Sequence, residues 1–484
     1  MGAFALLSFV LSFVQVFGTF SLQSAVVKYV AQYLAEGDTE KAKAVAIRAL
    51  QIGLIASAAA FLALFALAEW ISVLLFAVPD YALLIRLLSI CAIFVILYVI
   101  TGSVLQGLQR MREVALTGVS YSVISLCIGA LLLFLGWGLY GVVLGWLAGW
   151  GISSVAALLL AAKYLGVIGK PCSVRPLMSY SLPLYFSAGV GFFLSWIDQL
   201  LLVTYMSLLY GAIEGQRILG VYYVAIRASV VPSLFSNALI TALFPSLSEL
   251  YAQQGLNSLK DAFKVATRYS VLIGFPLIIG LATLAYPVII LFGGEQYIGA
   301  VEPLIIICIS ALIGTMGIAM GPILLTLERT VAASMLSVFS VVLSLLLAYL
   351  FVVPLNMQMI GAAWARTLTS ILSLLMTFYV LSRHVPLSFD KKALWKASVA
   401  SAFLVAAIIG LDLIRMLLSP SSYQFLVIRL HLLPVYVIVG GLAYFITLAS
   451  LKAFTRRDLE ILEEYLPNRL RWIAAWLGRL AKID

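Results

Sequence analysis

YALLIRLLSICAIFVILYVITGSVL, residues Tyr81–Leu105, carries a single charge, Arg86, and decides the class of the protein. A helix crosses a bilayer with about 20 predominantly apolar residues, and this run is long enough. Twelve similar runs fall at 3–27, 46–68, 114–136, 139–162, 177–205, 218–247, 269–291, 299–325, 331–353, 358–381, 395–417 and 426–451. The chain of 484 residues is 64% hydrophobic and 10% charged, against about 45–50% and about 25% in soluble domains. These values exclude a soluble globular enzyme. They also exclude disorder, which needs low hydrophobicity and high net charge. An all-α polytopic membrane protein of 13 spans is predicted.

The net charge of +10 is explained by where the basic residues lie. Lys28, Lys41, Lys43 and Arg48 fall between the first run and the start of the second, and Arg110 and Arg112 follow the third. Lys163, Lys170 and Arg175 follow the fifth, Lys260, Lys264 and Arg268 the seventh, and Arg329 the ninth. Arg383, Lys391, Lys392 and Lys396 follow the eleventh. The connections near Val78, Gly136, Gly293 and Leu355 have no Lys or Arg, and the one near Gly211 has Arg217 alone. Cytoplasmic flanks collect Lys and Arg, so the alternation sets the C-terminus in the cytoplasm and Met1 outside. It needs no nucleic-acid partner.

An internal repeat accounts for the odd number of spans. YLAEGDTEKAKAV (Tyr33–Val45) resembles YAQQGLNSLKDAFKV (Tyr251–Val265), GLQRM (Gly107–Met111) aligns with TLERT (Thr326–Thr330), and LYGVV (Leu139–Val143) with MIGAA (Met359–Ala363). One common offset of about 219 carries spans one to five onto spans seven to eleven. Each complete unit then holds six helices, an even number, so the two repeats are parallel. Parallel repeats related by an axis along the membrane normal are a transporter architecture with the cavity between the halves. The expected parts are an N-terminal lobe at 1–165 (five spans) and a C-terminal lobe at 166–385 (six spans). An additional helix pair at 386–451 and a cytoplasmic amphipathic tail at 452–484 follow. The sixth span has no counterpart, which points to a further apolar helix upstream of Met1.

WIDQLLLVTYMS (Trp196–Ser207) followed by GVYYVAIRASVVPSLFSNALITALFPSLSELYAQ (Gly220–Gln253) resembles two adjacent helices of the polysaccharide-repeat and lipid-linked oligosaccharide flippases. These belong to the multidrug/oligosaccharidyl-lipid/polysaccharide exporter superfamily, with the lipid II flippases. The resemblance rests on Asp198, Gly220, Tyr222, Ala225, Arg227, Pro245, Leu247 and Ser248, and on IGAAWA (Ile360–Ala365). It implies a flippase that moves a lipid-linked oligosaccharide, on a polyprenyl phosphate or pyrophosphate, across the cell membrane by alternating access. It also implies that the C-terminal helix pair lines a groove for the lipid tail.

Asp198, Arg227 and Arg366 lie well inside spans. A charge at the middle of a membrane costs about 2.5–3.5 kcal/mol on insertion scales, so each requires a cavity or a partner. They are the candidate substrate-binding residues: basic groups for the phosphates of a lipid-linked sugar, with Asp198 orienting or neutralising one of them. A buried Asp198–Arg227 pair that only locks adjacent helices is the competing expectation. Arg86 and Arg48, near span ends, can snorkel to the headgroups. Gln15, Gln51 and Asn237 suit hydrogen bonds between helices. Pro183, Pro232, Pro276 and Pro322 are intramembrane kinks or bending points.

Catalytic signals are missing from the sequence. His384 and His431 lie in interfacial segments, and GVIGK (Gly166–Lys170) lacks the phosphate-loop spacing. The four cysteines are far apart and read as packing residues. No cofactor and no metal are implied; ion gradients, membrane potential or consumption of the product must provide the drive. Beyond Pro467, Leu470, Ile473, Leu477 and Leu480 recur at helical spacing with Trp472 and Trp476 among basic residues. That pattern suits a helix lying on the cytoplasmic membrane surface. Two other functions are weaker. A multidrug antiporter of the same superfamily usually stops near twelve helices, and an integral glycosyltransferase needs acidic motifs in outer loops that are too short here.

Overall fold

Hydrophobic runs this long leave the backbone one way to satisfy its N–H and C=O groups without water, which is to form helices. The computed structural model describes residues 1–165, 172–232, 256–327, 329–418 and 432–453, and these residues form helices with no strand. Eleven of the described helices are long and apolar enough to span a membrane, and one bent pair makes a twelfth. The chain is an all-α multi-pass membrane protein. The seventh run, 218–247, is described only as far as residue 232. Asn237, Pro245, Leu247, Ser248, the Tyr251–Val265 repeat as far as residue 255, His431 and the amphipathic tail beyond residue 453 lie outside the described residues, as does GVIGK.

Two compact units divide the chain, Met1–Gly220 and Val221–Asp484. The first contains α1 (Gly2–Gly18), α2 (Leu22–Ala35), α3 (Thr39–Ala66), α4 (Ala68–Phe76), α5 (Ala82–Gly107), α6 (Met111–Phe134), α7 (Gly138–Leu165) and α8 (Val174–Tyr210). A ninth helix, α9 (212–232), begins in it. The division falls later than the lobe boundary expected at 165/166 because α8 packs on α1 and α2. Repeat symmetry and packing are different criteria, and the expected boundary follows the repeat.

Helix α5 is the hub of the first unit and touches α1, α2, α3 and α7. Ile85, Leu88, Ala92, Ile96 and Ile100 are fully buried along it, at the three- and four-residue spacing that keeps one helical stripe against its neighbours. Lipid is as apolar as leucine, so association depends on close approach of backbones. Gly141, Gly145 and Gly149 of α7 provide it. A Cβ at Gly145 would stand 2.7 Å from the Ser125 carbonyl oxygen and 2.8 Å from the Gly129 Cα, and one at Gly149 3.0 Å from the Tyr121 carbonyl oxygen. Only hydrogen at these three positions lets α6 and α7 touch along their length.

The first apolar run is a broken helix. Thr19 Oγ1 donates to the Gln15 carbonyl at 2.8 Å, and Phe20 and Ser21 take left-handed backbone angles, φ +49° and +52°. The helix then resumes as α2, bent by 45°. Left-handed conformations cost L residues roughly 1–2 kcal/mol each, so the surrounding packing must hold them. Helix α2 ends before Gly37 (φ +78°), and Asp38 caps α3 by accepting from the Lys41 amide at 2.9 Å.

The second unit contains the remainder of α9, then α10 (Leu256–Thr283), α11 (Ala285–Gly293), α12 (Val301–Gly314), α13 (Met320–Thr326), α14 (Thr330–Val352), α15 (Gln358–Ser382), α16 (Lys391–Leu418) and α17 (Leu433–Ser450). The last two pack on each other. They are joined to α10 through one apolar cluster that includes Leu272, Phe275, Ala397, Leu404, Ile408, Tyr436 and Tyr444. Pro276, inside α10, has no N–H for the carbonyl four residues back, that of Leu272. The buried Tyr444 hydroxyl donates to this carbonyl at 2.8 Å. Just beyond the C-terminal end of α17, Arg268 donates to the Ala453 carbonyl at 3.0 Å and Lys396 to the Lys452 carbonyl at 2.7 Å, so α10 and α16 tie down the chain that leaves the helix.

Candidate functional site

Asp198 lies two-thirds of the way along α8 in the first unit and is 1% exposed, next to the equally enclosed Gln199 (4%). The burial follows from the face α8 shares with Leu202, Val203 and Met206, all buried. Arg227 and Arg366 belong to the second unit. On α9, Arg227 is exposed whereas its neighbours Tyr223, Val224, Ala225 and Ala228 are buried. Its Nε donates to the Tyr223 hydroxyl at 2.7 Å and Nη2 donates to the same oxygen. The guanidinium also lies over the Tyr223 ring, 4.7 Å from its centre. Four residues of helix bring both contacts onto one side of α9. Arg366 is half-buried on α15. The buried Thr367 beside it bonds to the Ile306 carbonyl of α12 at 3.0 Å, which fixes the rotation of α15 and the direction in which Arg366 leaves it.

Several other polar residues of the spans have partners of their own. Arg86 forms an ion pair with Glu69 at 2.8 Å and lies over the Phe65 ring. Arg48 donates to the Cys172 carbonyl at 2.6 Å and to Gln51 Oε1 at 3.1 Å, so Gln51 serves its own helix and Arg48 ties α3 to the start of α8. Gln15 is exposed, one turn before the break in the first helix. All four cysteines are free, Cys91 and Cys308 buried, Cys172 half-buried and Cys127 exposed. Among the described residues no three His, Cys, Asp or Glu side chains converge as metal ligands would.

Two constellations were not singled out in the sequence. The first is Asp412, whose Oδ1 accepts from Arg415 at 3.0 Å and from the Tyr436 hydroxyl at 2.8 Å. The pair is 15% and 11% exposed in its side chains. An acid and a base three residues apart inside an apolar run are the signal that was available. The second is Lys28 on α2, whose ammonium stands 4.2 Å from the ring centre of Tyr180 on α8 and 5.5 Å from that of Tyr29. In the sequence Lys28 counted only toward orientation. The first unit also holds an apolar cavity of about 530 Å³ between α1, α3 and α4, lined by Phe9, Phe13, Phe17, Ala60, Trp70 and Leu74 among others. Such walls accommodate hydrocarbon and exclude charge.

Residues 1–302 match the family model described as polysaccharide biosynthesis protein. A probable low-salt glycan biosynthesis flippase, Agl15 of Haloferax volcanii, is 24% identical over 314 residues, covering 64% of this chain and 63% of the relative. The teichuronic acid biosynthesis protein TuaB of Bacillus subtilis is 25% identical over 256 residues, 52% of this chain and 50% of its own. The matched region thus spans less than two-thirds of either relative. Among solved structures, the lipid II flippase MurJ in an inward closed conformation superposes with a TM-score of 0.66 at 18% identity, over 92% of each chain. An inward-facing multidrug resistance MATE family transporter gives 0.63 at 15% identity, over 78% of this chain and 90% of its own.

Proposed function

The chain belongs to the polysaccharide biosynthesis protein family, whose model covers more than half of it, and on that premise we propose that it is a flippase. It carries a lipid-linked oligosaccharide or polysaccharide repeat unit from the cytoplasmic to the outer leaflet by alternating access. The flippase named among the relatives supports this reading, and so does the MurJ-like fold, which extends over nearly the whole chain. The observation that carries it is Arg227: a guanidinium on α9, within the seventh apolar run, exposed and held by a tyrosine hydroxyl and ring rather than enclosed. A cation kept accessible at that depth has the chemistry to receive a phosphate. Its hydrogen bond to Tyr223 fixes the guanidinium plane and leaves the opposite edge to make a charge-assisted contact.

In the proposed cycle Arg227 and Arg366 contact the phosphates of the carrier, each from its own helix, and the buried Asp198 answers the local charge as the headgroup arrives and leaves. The lobes at 1–165 and 166–385 provide the alternation, and the pair at 386–451 receives the lipid tail. The tail at 452–484 stays on the cytoplasmic face of the cell membrane. The polypeptide itself acts as a transporter, not as an enzyme, and draws its drive from an ion gradient, the membrane potential or removal of product. The test is flipping of a fluorescent polyprenyl-diphosphate-linked sugar in proteoliposomes. Wild type should deliver the label to the opposite leaflet, and Arg227→Ala and Arg366→Ala should be slow. Equal rates in protein-free vesicles would overturn the proposal.

The antiporter reading is weaker because the MATE transporter superposes on 78% of this chain against 92% for MurJ. Export of a cationic dye by the purified protein, with no flipping of the sugar lipid, would restore it.

A further inference from the structure

We propose that Lys28, framed by Tyr29 and Tyr180, is a loading subsite that takes the phosphate–sugar junction of the lipid-linked glycan as it enters the first unit. The inference rests on the flippase reading and specifies where recognition begins. The Lys28 side chain is exposed, and its ammonium lies over two tyrosine rings, 4.2 and 5.5 Å from their centres. Among the described residues it makes no ion pair. Tyr29 and Tyr180 meet edge to face at 6.0 Å, and Tyr29 stacks on Tyr33 at 6.3 Å. Five residues further along α8, about 7.5 Å, Tyr185 packs on Phe17 and Phe20 at the break between α1 and α2. The arrangement is therefore a single cation on a ladder of aromatic rings, with its lower rungs at Tyr33 and its upper end at the helix break.

Each part has a matching ligand group. An ammonium is a compact point charge with three donors and suits a phosphate. The aromatic face is apolar with a polar rim, and it stacks against the C–H face of a pyranose while leaving the sugar hydroxyls to water. A glycosyl phosphate presents both groups side by side. The depth also fits. Lys28 is seven residues before the end of α2, about 10 Å, so it lies near the boundary between headgroups and hydrocarbon. The phosphate of a lipid resting in the inner leaflet arrives at that level. Without ligand the charge rests on π faces, a weak hold at exposed sites, and a phosphate displaces it without breaking a salt bridge. An interfacial tyrosine that only anchors the protein in the headgroups has no need of such stacking across two helices.

The experiment measures binding of farnesyl diphosphate, farnesyl-diphospho-N-acetylglucosamine and farnesol to the full chain in detergent. Loss of one charge-assisted contact is expected to weaken binding of the diphosphate about tenfold in Lys28→Ala. Lys28→Arg should keep most of it, and farnesol should be indifferent to both. Tyr180→Leu should erase the preference for the sugar-bearing probe over the bare diphosphate, and Tyr180→Phe should preserve it. Protection of Lys28 from an amine-reactive label by farnesyl diphosphate, in the wild type, decides the matter if a variant fails to fold. Unchanged diphosphate affinity in folded Lys28→Ala, or an unprotected Lys28, overturns the subsite while leaving the flippase reading in place. Equally effective competition by phosphatidylglycerol assigns the site to a phospholipid headgroup and also overturns it. If wild type binds neither diphosphate probe, the flippase reading itself fails.

Discussion

Replacing Arg227 by alanine separates a water-lined cavity from a lipid-facing surface by the sign of the stability change. The side chain is exposed, and its described contacts are the hydrogen bonds to the Tyr223 hydroxyl and the position over that ring. A hydrogen bond to a charged group contributes about 1.5 kcal/mol at the lower end of its range, and an exposed cation–π contact about 0.5. The variant loses about 2 kcal/mol of stabilisation in either setting. In water nothing offsets this, and Arg227→Ala unfolds more easily by about 2 kcal/mol. In lipid the substitution also removes a charge that costs about 3 kcal/mol at mid-membrane, and the variant becomes more stable by about 1 kcal/mol. The two outcomes differ by about 3 kcal/mol. Denaturant titration in bicelles resolves that difference, alongside flipping of the labelled sugar lipid in liposomes. The proposal requires a modest loss of stability together with a fall in rate of 10-fold or more. A stabilised variant that flips at the wild-type rate refutes the reasoning. So does one destabilised by 4 kcal/mol, which marks a broken buried pair.

Gly145→Leu should disrupt the α6–α7 pair, because even a Cβ meets backbone atoms at 2.7 and 2.8 Å. Overpacking of this kind costs about 1–3 kcal/mol, and the check is yield of monodisperse protein with Gly102→Ala, where a Cβ meets nothing within 4 Å, as control. Tyr444→Phe should lose about 1–3 kcal/mol, the penalty of a buried carbonyl left unsatisfied, measured by unfolding in bicelles. An effect below about 0.5 kcal/mol would mean that the Leu272 carbonyl finds another donor. The Asp38 carboxylate is held below its ordinary pKa by the hydrogen bonds and ion pair it makes with Lys41. Its contribution to the start of α3 is therefore complete above the unfolded value near 4 and declines as pH falls through the lower folded value. Amide protection at Glu40–Ala42, taken relative to the intrinsic exchange rate at each pH and compared with Asp38→Asn, should fall only in that acid range, and a loss of protection near neutral pH contradicts the assignment.

The spans and their number of apolar residues were legible because membrane crossing is a matter of length and hydropathy. Most of the described helices fall on one of those runs, whereas α4 lies between the second and the third. What a helix faces inside the membrane was not legible, since lipid and packed neighbours are equally apolar. Ile96 and Leu126 look alike in sequence, yet the first is fully buried and the second 71% exposed. The break in the first run was missed because Gly18, which ends α1, is a weak signal alone and the left-handed angles fall on Phe20 and Ser21, where tertiary packing enforces them. Of the candidate residues, the sequence picked out charges by their depth. It could not tell that Asp198 is enclosed while Arg227 is open and rests on a tyrosine of its own helix. Lys28 went unweighed because its partner Tyr180 is far away in the chain and becomes a neighbour only through the packing of α2 on α8.

The bond between Tyr444 and the carbonyl freed by Pro276 makes two distant positions interdependent. A proline at 276 creates a carbonyl that hydrocarbon cannot solvate, and a hydroxyl on α17 supplies the missing donor. Losing α17, or only its hydroxyl, turns the proline into a liability. Losing the proline instead restores the helical bond and makes the hydroxyl superfluous. Relatives that end before the additional pair should then carry an N–H-bearing residue at the place of Pro276, and those that keep the pair should change both positions together. The proline and the hydroxyl are in this sense one unit shared by two helices, to be gained or lost together.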